Sequence, residues 1–138
     1  MRVVADSNVV VSGLIWHGSP RRVLDAARDG IIQLFTSAAL LEELQDVLNR
    51  EKFARKLRDG NVSVRELVLG YAALASVVEA SSIEPVIIAD PVDDDVLACA
   101  VAAQSEIITS GDSHLLDLKD YQGIRILTPA ELLVELAL

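Results

Sequence analysis

Short apolar runs rich in β-branched residues alternate along this chain with longer segments of helical period. The runs at residues 2–5, 31–35, 106–109 and 124–127 each read as a strand. Helix starts are marked at Ser19-Pro20, at Ser63 with Glu66, and at Thr128-Pro129 with Glu131, where a cap residue is joined by a first-turn Pro or a capping-box Glu. Ser37 can cap a further helix over 38–50, and the acids Asp93, Asp94 and Asp95 open one that runs to about residue 104. Strands alternating with helices predict an α/β fold whose central, mainly parallel sheet is flanked by helices on both faces. Residues 86–88 continue apolar and fit a short strand or an extended loop, whereas 51–62, polar and basic with a Gly60-Asn61 turn, read as a mobile flap.

Composition narrows the function classes. At 138 residues the expectation is a single domain over 1–138, and 51% hydrophobic residues suffice to bury its core. The 12 Lys and Arg against 21 Asp and Glu argue against holding a polyanion by bulk positive charge, so such a substrate needs a local basic patch, a metal, or both. One cysteine, Cys99, excludes an intrachain disulfide and a cysteine-built zinc site, and with no targeting or membrane-spanning segment in view a cytoplasmic location is expected. Cys99 and Trp16 are expected in the core, and His17 and His114 on the surface without a catalytic role.

In open parallel sheets ligands gather at the carboxyl ends of the strands. Asp6 directly follows the first strand, Asp112 follows residues 106–109 through Ser110-Gly111, and Asp93 opens a helix after an apolar run. On the helix over 38–50, Glu43 borders the apolar stripe of Leu40, Leu41, Leu44, Val47 and Leu48, while Glu42 and Asp46 point away. Converging carboxylates repel, and a hard divalent cation such as Mg²⁺ or Mn²⁺ relieves the repulsion by taking oxygen ligands. The plain alternative is that Asp6, Asp93, Asp94, Asp95 and Asp112 are turn and cap residues at favourable helix ends, with Glu43 a solvated boundary charge.

The ordered set Asp6-Ser7-Asn8, Ser37 with Glu43-Leu44, Asp90-Pro91-Val92-Asp93-Asp94 with Leu97-Ala98 and Ala100, and Thr109-Ser110-Gly111-Asp112 with Leu115-Leu116 resembles the PIN-domain nucleases. The likeness is to the branch described as toxin components of bacterial and archaeal toxin–antitoxin systems, the VapC-like proteins, and it runs from about Arg2 to Thr128. It implies a three-layer α/β/α sandwich, dependence on Mg²⁺ or Mn²⁺, endonucleolytic hydrolysis of RNA, and a cognate antitoxin as partner. By position, Asp6, Glu43, Asp93 and Asp112 match the family's metal-coordinating acids, and Ser7, Asn8 and Ser110 its supporting polar residues, with Ser in place of the more usual Thr at Ser7 and Ser110. Asp94 adjoins Asp93 as a supporting acid; Asp93 is preferred as ligand because it leaves Val96-Leu97 and Ala100 on the family's spacing.

Arg50, Lys52, Arg55, Lys56 and Arg58 are five of the twelve basic residues. A solvated helix face is the ordinary reading of such a run. Beside an acidic cleft, Arg55 and Lys56, with Arg21 and Arg22, are candidates for RNA phosphate contacts. Apolar surface left on helices expected over 65–78 and 130–138 suggests a homodimer. The rival readings are a housekeeping RNA-processing nuclease, a catalytically silent scaffold of the same fold, and a phosphoacceptor domain. The last expects paired acids after the first strand and a Lys near the last, where this chain has only Asp6 and an Arg125.

Overall fold

The structure, a computed structural model, describes residues 1–84 and 91–138. Among these residues six strands form one sheet: β1 (Arg2–Ala5), β2 (Gln33–Thr36), β3 (Ser76–Val77), β4 (Ile107–Thr109), β5 (Asp120–Tyr121) and β6 (Ile124–Leu127), in the order β3-β2-β1-β4-β6-β5. Every neighbouring pair is parallel except β5 with β6. The antiparallel pair is a hairpin whose two-residue turn, Gln122-Gly123, takes positive φ at both positions (50° and 82°), the twist that suits a tight hairpin. Residues 86–88 and Asp90 lie outside the described residues.

Side chains alternate between the sheet's faces, and both faces are apolar. Val3, Ala5, Leu34 and Ile107 join one core cluster, while Val4, Phe35, Ile108 and Ile126 join the other. Helices cover both, which gives the three layers expected: α1 (Ser7–Ile15), α2 (Ser19–Arg28), α3 (Ala38–Leu48), α4 (Glu51–Asp59), α5 (Val64–Leu74), α6 (Pro91–Ala102), α7 (Ser113–Leu116) and α8 (Pro129–Glu135). Val9, Val23, Leu44, Tyr71 and Leu132 pack from α1, α2, α3, α5 and α8 on the first face. Leu97, Cys99 and Ala100 of α6 and Leu115 of α7 pack on the second.

The expected caps are present. Ser37 Oγ accepts from Leu40 N, and the Ser63/Glu66 and Thr128/Glu131 pairs close full capping boxes. Helix α6 spans Pro91–Ala102, two residues ahead of the expected start and end. Three expectations are corrected. Residues 51–59, expected to be a flap, are helix α4, anchored by buried Phe53 and built from strong helix formers. Trp16 is not in the core but 49% exposed. The segment at 65–78, expected to be a single helix, ends as α5 at Leu74 and continues into β3.

Helix α1 has no counterpart in the periodicity reading, because it is buried on most sides and its β-branched run carries no helical stripe. It crosses α2 closely at Gly13, where a Cβ would stand 2.7 Å from Leu24 Cδ1 and 2.9 Å from the Pro20 carbonyl oxygen. That approach seats α1 against its neighbour, and with it the first residues after β1.

Candidate functional site

Asp6 leaves β1 at its carboxyl end and caps α1, its Oδ1 accepting from Asn8 N at 3.3 Å. The backbone N–H of Asp6 donates to the Thr109 carbonyl at 3.0 Å, which ties the end of β1 to the end of β4. Just past β4, buried Ser110 donates its hydroxyl to Asp6 Oδ2 at 2.7 Å and accepts from Asp112 N at 2.9 Å. One serine thus sets the spacing of two acids that are 106 positions apart in the chain. Asp112 in turn caps α7, its Oδ1 accepting from His114 N at 2.7 Å.

Asp93 enters from the first turn of α6 and is 4% exposed. It meets the others through His114, whose Nδ1 lies 3.9 Å from Asp93 Oδ2 and 3.5 Å from Asp112 Oδ1. One donor atom from each of Asp93, Asp112 and His114 falls within 4.8 Å of the other two, a spacing that can hold a metal ion. Asp94 and Asp95 are half-buried beside Asp93, and the Asp95 carboxyl is pushed up by burial and then by the charge of Asp94.

Glu43 is half-buried on α3, one turn beyond Leu40. Leu40 meets the site's first segment directly, since its carbonyl accepts from Ser7 Oγ at 3.5 Å. Cys99 is buried as expected; burial pushes its thiol up to about 11, and a hydrogen bond with Ser37 draws it down in part, so α6 packs against the start of α3. The amino-terminal turns of α1, α3 and α6 are therefore gathered at the strand ends. Asn8 is exposed and lines a cavity of about 590 Å³ that also touches Ser12, Asp112 and Thr128.

Electrostatics mark this cluster. Burial pushes the Asp6 carboxyl above the ordinary range, hydrogen bonds from Ser110 and the Asn8 amide pull it back, and the charge of Asp112 raises it again. The charged neighbour that Asp6 feels is another acid, so ionised Asp6 stands in an environment that favours a cation between the two.

Of the proposed phosphate contacts, Arg22, Arg55 and Lys56 are exposed. Arg21 is half-buried and turned to other work: its Nε donates to the Gly13 carbonyl and its Nη2 to the Leu14 carbonyl, each at 3.0 Å. His114 is exposed as expected, but its place between Asp93 and Asp112 was not visible in the sequence. The available signal was its position two residues after an acid able to cap a turn.

The sequence profile of a family described as PIN domain matches residues 2–114. No curated protein matches the chain.

Proposed function

Since the chain belongs to the PIN domain family, we propose that it is a metal-dependent endoribonuclease, acting as the toxin of a toxin–antitoxin pair. PIN domains are generally metal-dependent nucleases; the choice of RNA and the toxin role rest on the resemblance of the acidic motifs to the VapC-like branch. The observation that carries the reading is the meeting of Asp6, Asp93 and Asp112 at the carboxyl edge of the sheet, with Ser110 and His114 between them.

The donor set fits a hard divalent cation such as Mg²⁺ or Mn²⁺, because carboxylate oxygens dominate it and Asp6 and Asp112 repel in its absence. Asp6, Asp93 and Asp112 would hold the ion, with Glu43 as the fourth acid and Asp94 in support. A bound ion supplies a water of lowered pKa as nucleophile and neutralises charge on the phosphate in the transition state. The chain's own part is positioning. Ser110 locks the relative placement of Asp6 and Asp112, and Ser7 pins α3 to the start of α1. Asn8 lies at the wall of the neighbouring cavity, where an RNA backbone can be met by a neutral hydrogen-bonding group.

Purified protein is expected to cut a mixed, 5′-labelled RNA pool with Mg²⁺ or Mn²⁺, to leave 5′-phosphate and 3′-hydroxyl ends, and to stop in EDTA. Asp112→Asn keeps a capping oxygen for α7 but should cut about 100-fold more slowly or worse. Cutting that persists in EDTA or is unchanged in Asp112→Asn overturns the metal–carboxylate mechanism. A folded, metal-bound protein that cuts no RNA leaves the silent scaffold. An adjacent small open reading frame whose product suppresses cutting separates a toxin from a housekeeping nuclease.

A homodimer belongs to the same reading. Leu69 on α5 and Val134 on α8 are 56% and 79% exposed, and Val77 and Leu138 are exposed as well. Gel filtration should give a dimer, and a monomer at micromolar concentration removes this part. The cytoplasmic location is part of the same proposal; no helix among the described residues is long and apolar enough to cross a membrane.

A further inference from the structure

Trp16 is the chain's one tryptophan, and it stands 49% exposed where α1 ends. A ring of this size normally earns its place by burial. Here Lys56 of α4 holds its ammonium 5.0 Å from the ring centroid instead. The same short helix presents Lys52, Arg55 and Arg58 to solvent, with Arg50 at its start, in a chain whose net charge is −9. His17 follows Trp16 directly in the chain, and its Nδ1 lies 3.4 Å from Arg21 Nη1. Arg21 also covers the Gly13 and Leu14 carbonyls, so the negative end of the α1 dipole is capped by a cation just where the ring emerges.

This exposed aromatic stands in line with the acid cluster. Asn8 and Ser12 lie one turn apart on the same face of α1, and Trp16, the residue that ends the helix, follows four residues later. Asn8 and Ser12 line the cavity of about 590 Å³ that Asp112 borders. Eight residues of helix advance about 12 Å, a distance that a few nucleotides of single strand can span. A flat ring, a run of cations beside it and a groove leading to the acids are the parts of a single-strand track. A protein partner favours an aromatic anchor inside an apolar rim that excludes water. Here the group set against the ring is the Lys56 ammonium, on a helix whose other exposed cations are Lys52, Arg55 and Arg58, and such a surface suits phosphates.

We propose that Trp16 is a base-stacking platform for single-stranded RNA and that α4 grips the adjoining phosphates. The strand then runs from Trp16 along α1, past Ser12 and Asn8, to Asp112. Trp16 is a positioning residue: it fixes which phosphate reaches the acids and takes no part in bond cleavage. The direction of the strand towards Asp112 rests on the nuclease reading above, whereas stacking on Trp16 does not.

The test uses the Asp112→Asn chain to keep RNA intact, in Mg²⁺ and again in EDTA. A short single-stranded oligonucleotide is titrated in while the fluorescence of the one tryptophan is followed. Saturable quenching is expected, and little from a duplex of the same sequence, whose bases are already stacked. With labelled RNA, Trp16→Ala should bind about 10-fold more weakly and Trp16→Phe should recover most of the loss. Lys56→Glu, an exposed change on a different helix, should weaken binding and reduce its salt dependence. No quenching, or unchanged affinity in Trp16→Ala, overturns the platform; capture of a protein partner by Trp16 without any effect on RNA overturns it in favour of a protein interface. The two readings fail separately. Metal-dependent cutting whose KM ignores Trp16→Ala sinks the platform and leaves the nuclease, whereas quenching by RNA that the wild-type chain never cuts sinks the nuclease and leaves the platform.

Discussion

Asp6→Asn is expected to raise the melting temperature of the metal-free protein at neutral pH and to lower metal-dependent cleavage about 100-fold or more. Both effects come from one burial. Asp6 is 6% exposed, and its carboxyl is held above the ordinary range by desolvation and then, after partial relief from Ser110 and Asn8, by Asp112. A carboxyl whose pKa is raised by folding is stabilising only while protonated. Its contribution is fully present below the ordinary carboxylate range and is lost as pH rises through the raised value. Asparagine never ionises and can still meet Ser110 with a hydrogen bond. The gain over wild type should therefore be largest near neutrality and shrink towards about pH 4. Melting curves of EDTA-treated protein across this range check the sign. Added Mg²⁺ should raise the melting temperature of the wild type and leave that of Asp6→Asn nearly unchanged, because only a folded, charged site binds the ion. A variant less stable than wild type at neutral pH would mean that the Asp6 carboxylate is well compensated in the metal-free protein.

Ile108→Ala should cost about 2–5 kcal/mol of folding stability and lower the melting temperature by roughly 10 °C. Ile108 is fully buried at the middle of β4, with Val4 in register beside it and with Leu97 and Leu115 in the same core cluster. Removing three side-chain carbons leaves a cavity between the sheet and α6, since parallel strands on either side hold the backbone in place. The cost reaches the site as well, because β4 runs directly into Ser110 and Asp112. Chemical denaturation measures the first effect. A loss below about 1 kcal/mol would show that the core closes over the gap.

The sheet centre was legible because β1, β2 and β4 are largely buried on both faces and so read as short apolar runs, while β6 sets buried Ile124 and Ile126 on either side of exposed Arg125. The edge strands were not. Ser76–Val77 is exposed at both positions, and Asp120–Tyr121 depends on a turn whose Gln122-Gly123 pair is a weaker hairpin signal than Asn-Gly. Helix α1 escaped because periodicity requires a wet face, and Val9, Val10 and Val11 are all buried. Helix α4 was misread in the opposite sense: its charges suggested a flap, while Glu51, Ala54, Lys56 and Leu57 all favour helix.

At the candidate site, reasoning from strand ends predicted that Asp6 and Asp112 face one edge, and the hydroxyl at Ser110 was already marked as supporting. What the sequence could not supply was the wrap of α7. That single turn carries His114 back between Asp93 and Asp112, and its path depends on the Asp112 cap and on buried Leu115 rather than on any spacing. Trp16 failed for a related reason. Its hydrophobicity argued for the core, but its position at the end of α1 leaves the ring beyond the sheet, against Lys56.

The margins of the sheet have a consequence of their own. Among the described residues both outermost strands, β3 and β5, are two residues long. An edge offers unpaired amide and carbonyl groups to any extended segment that drifts alongside, and long flat edges are where fibrils nucleate. A passing chain finds only a two-residue template at either margin, too little to begin a growing ladder. Edges this short give sheet-to-sheet polymerisation little to start from.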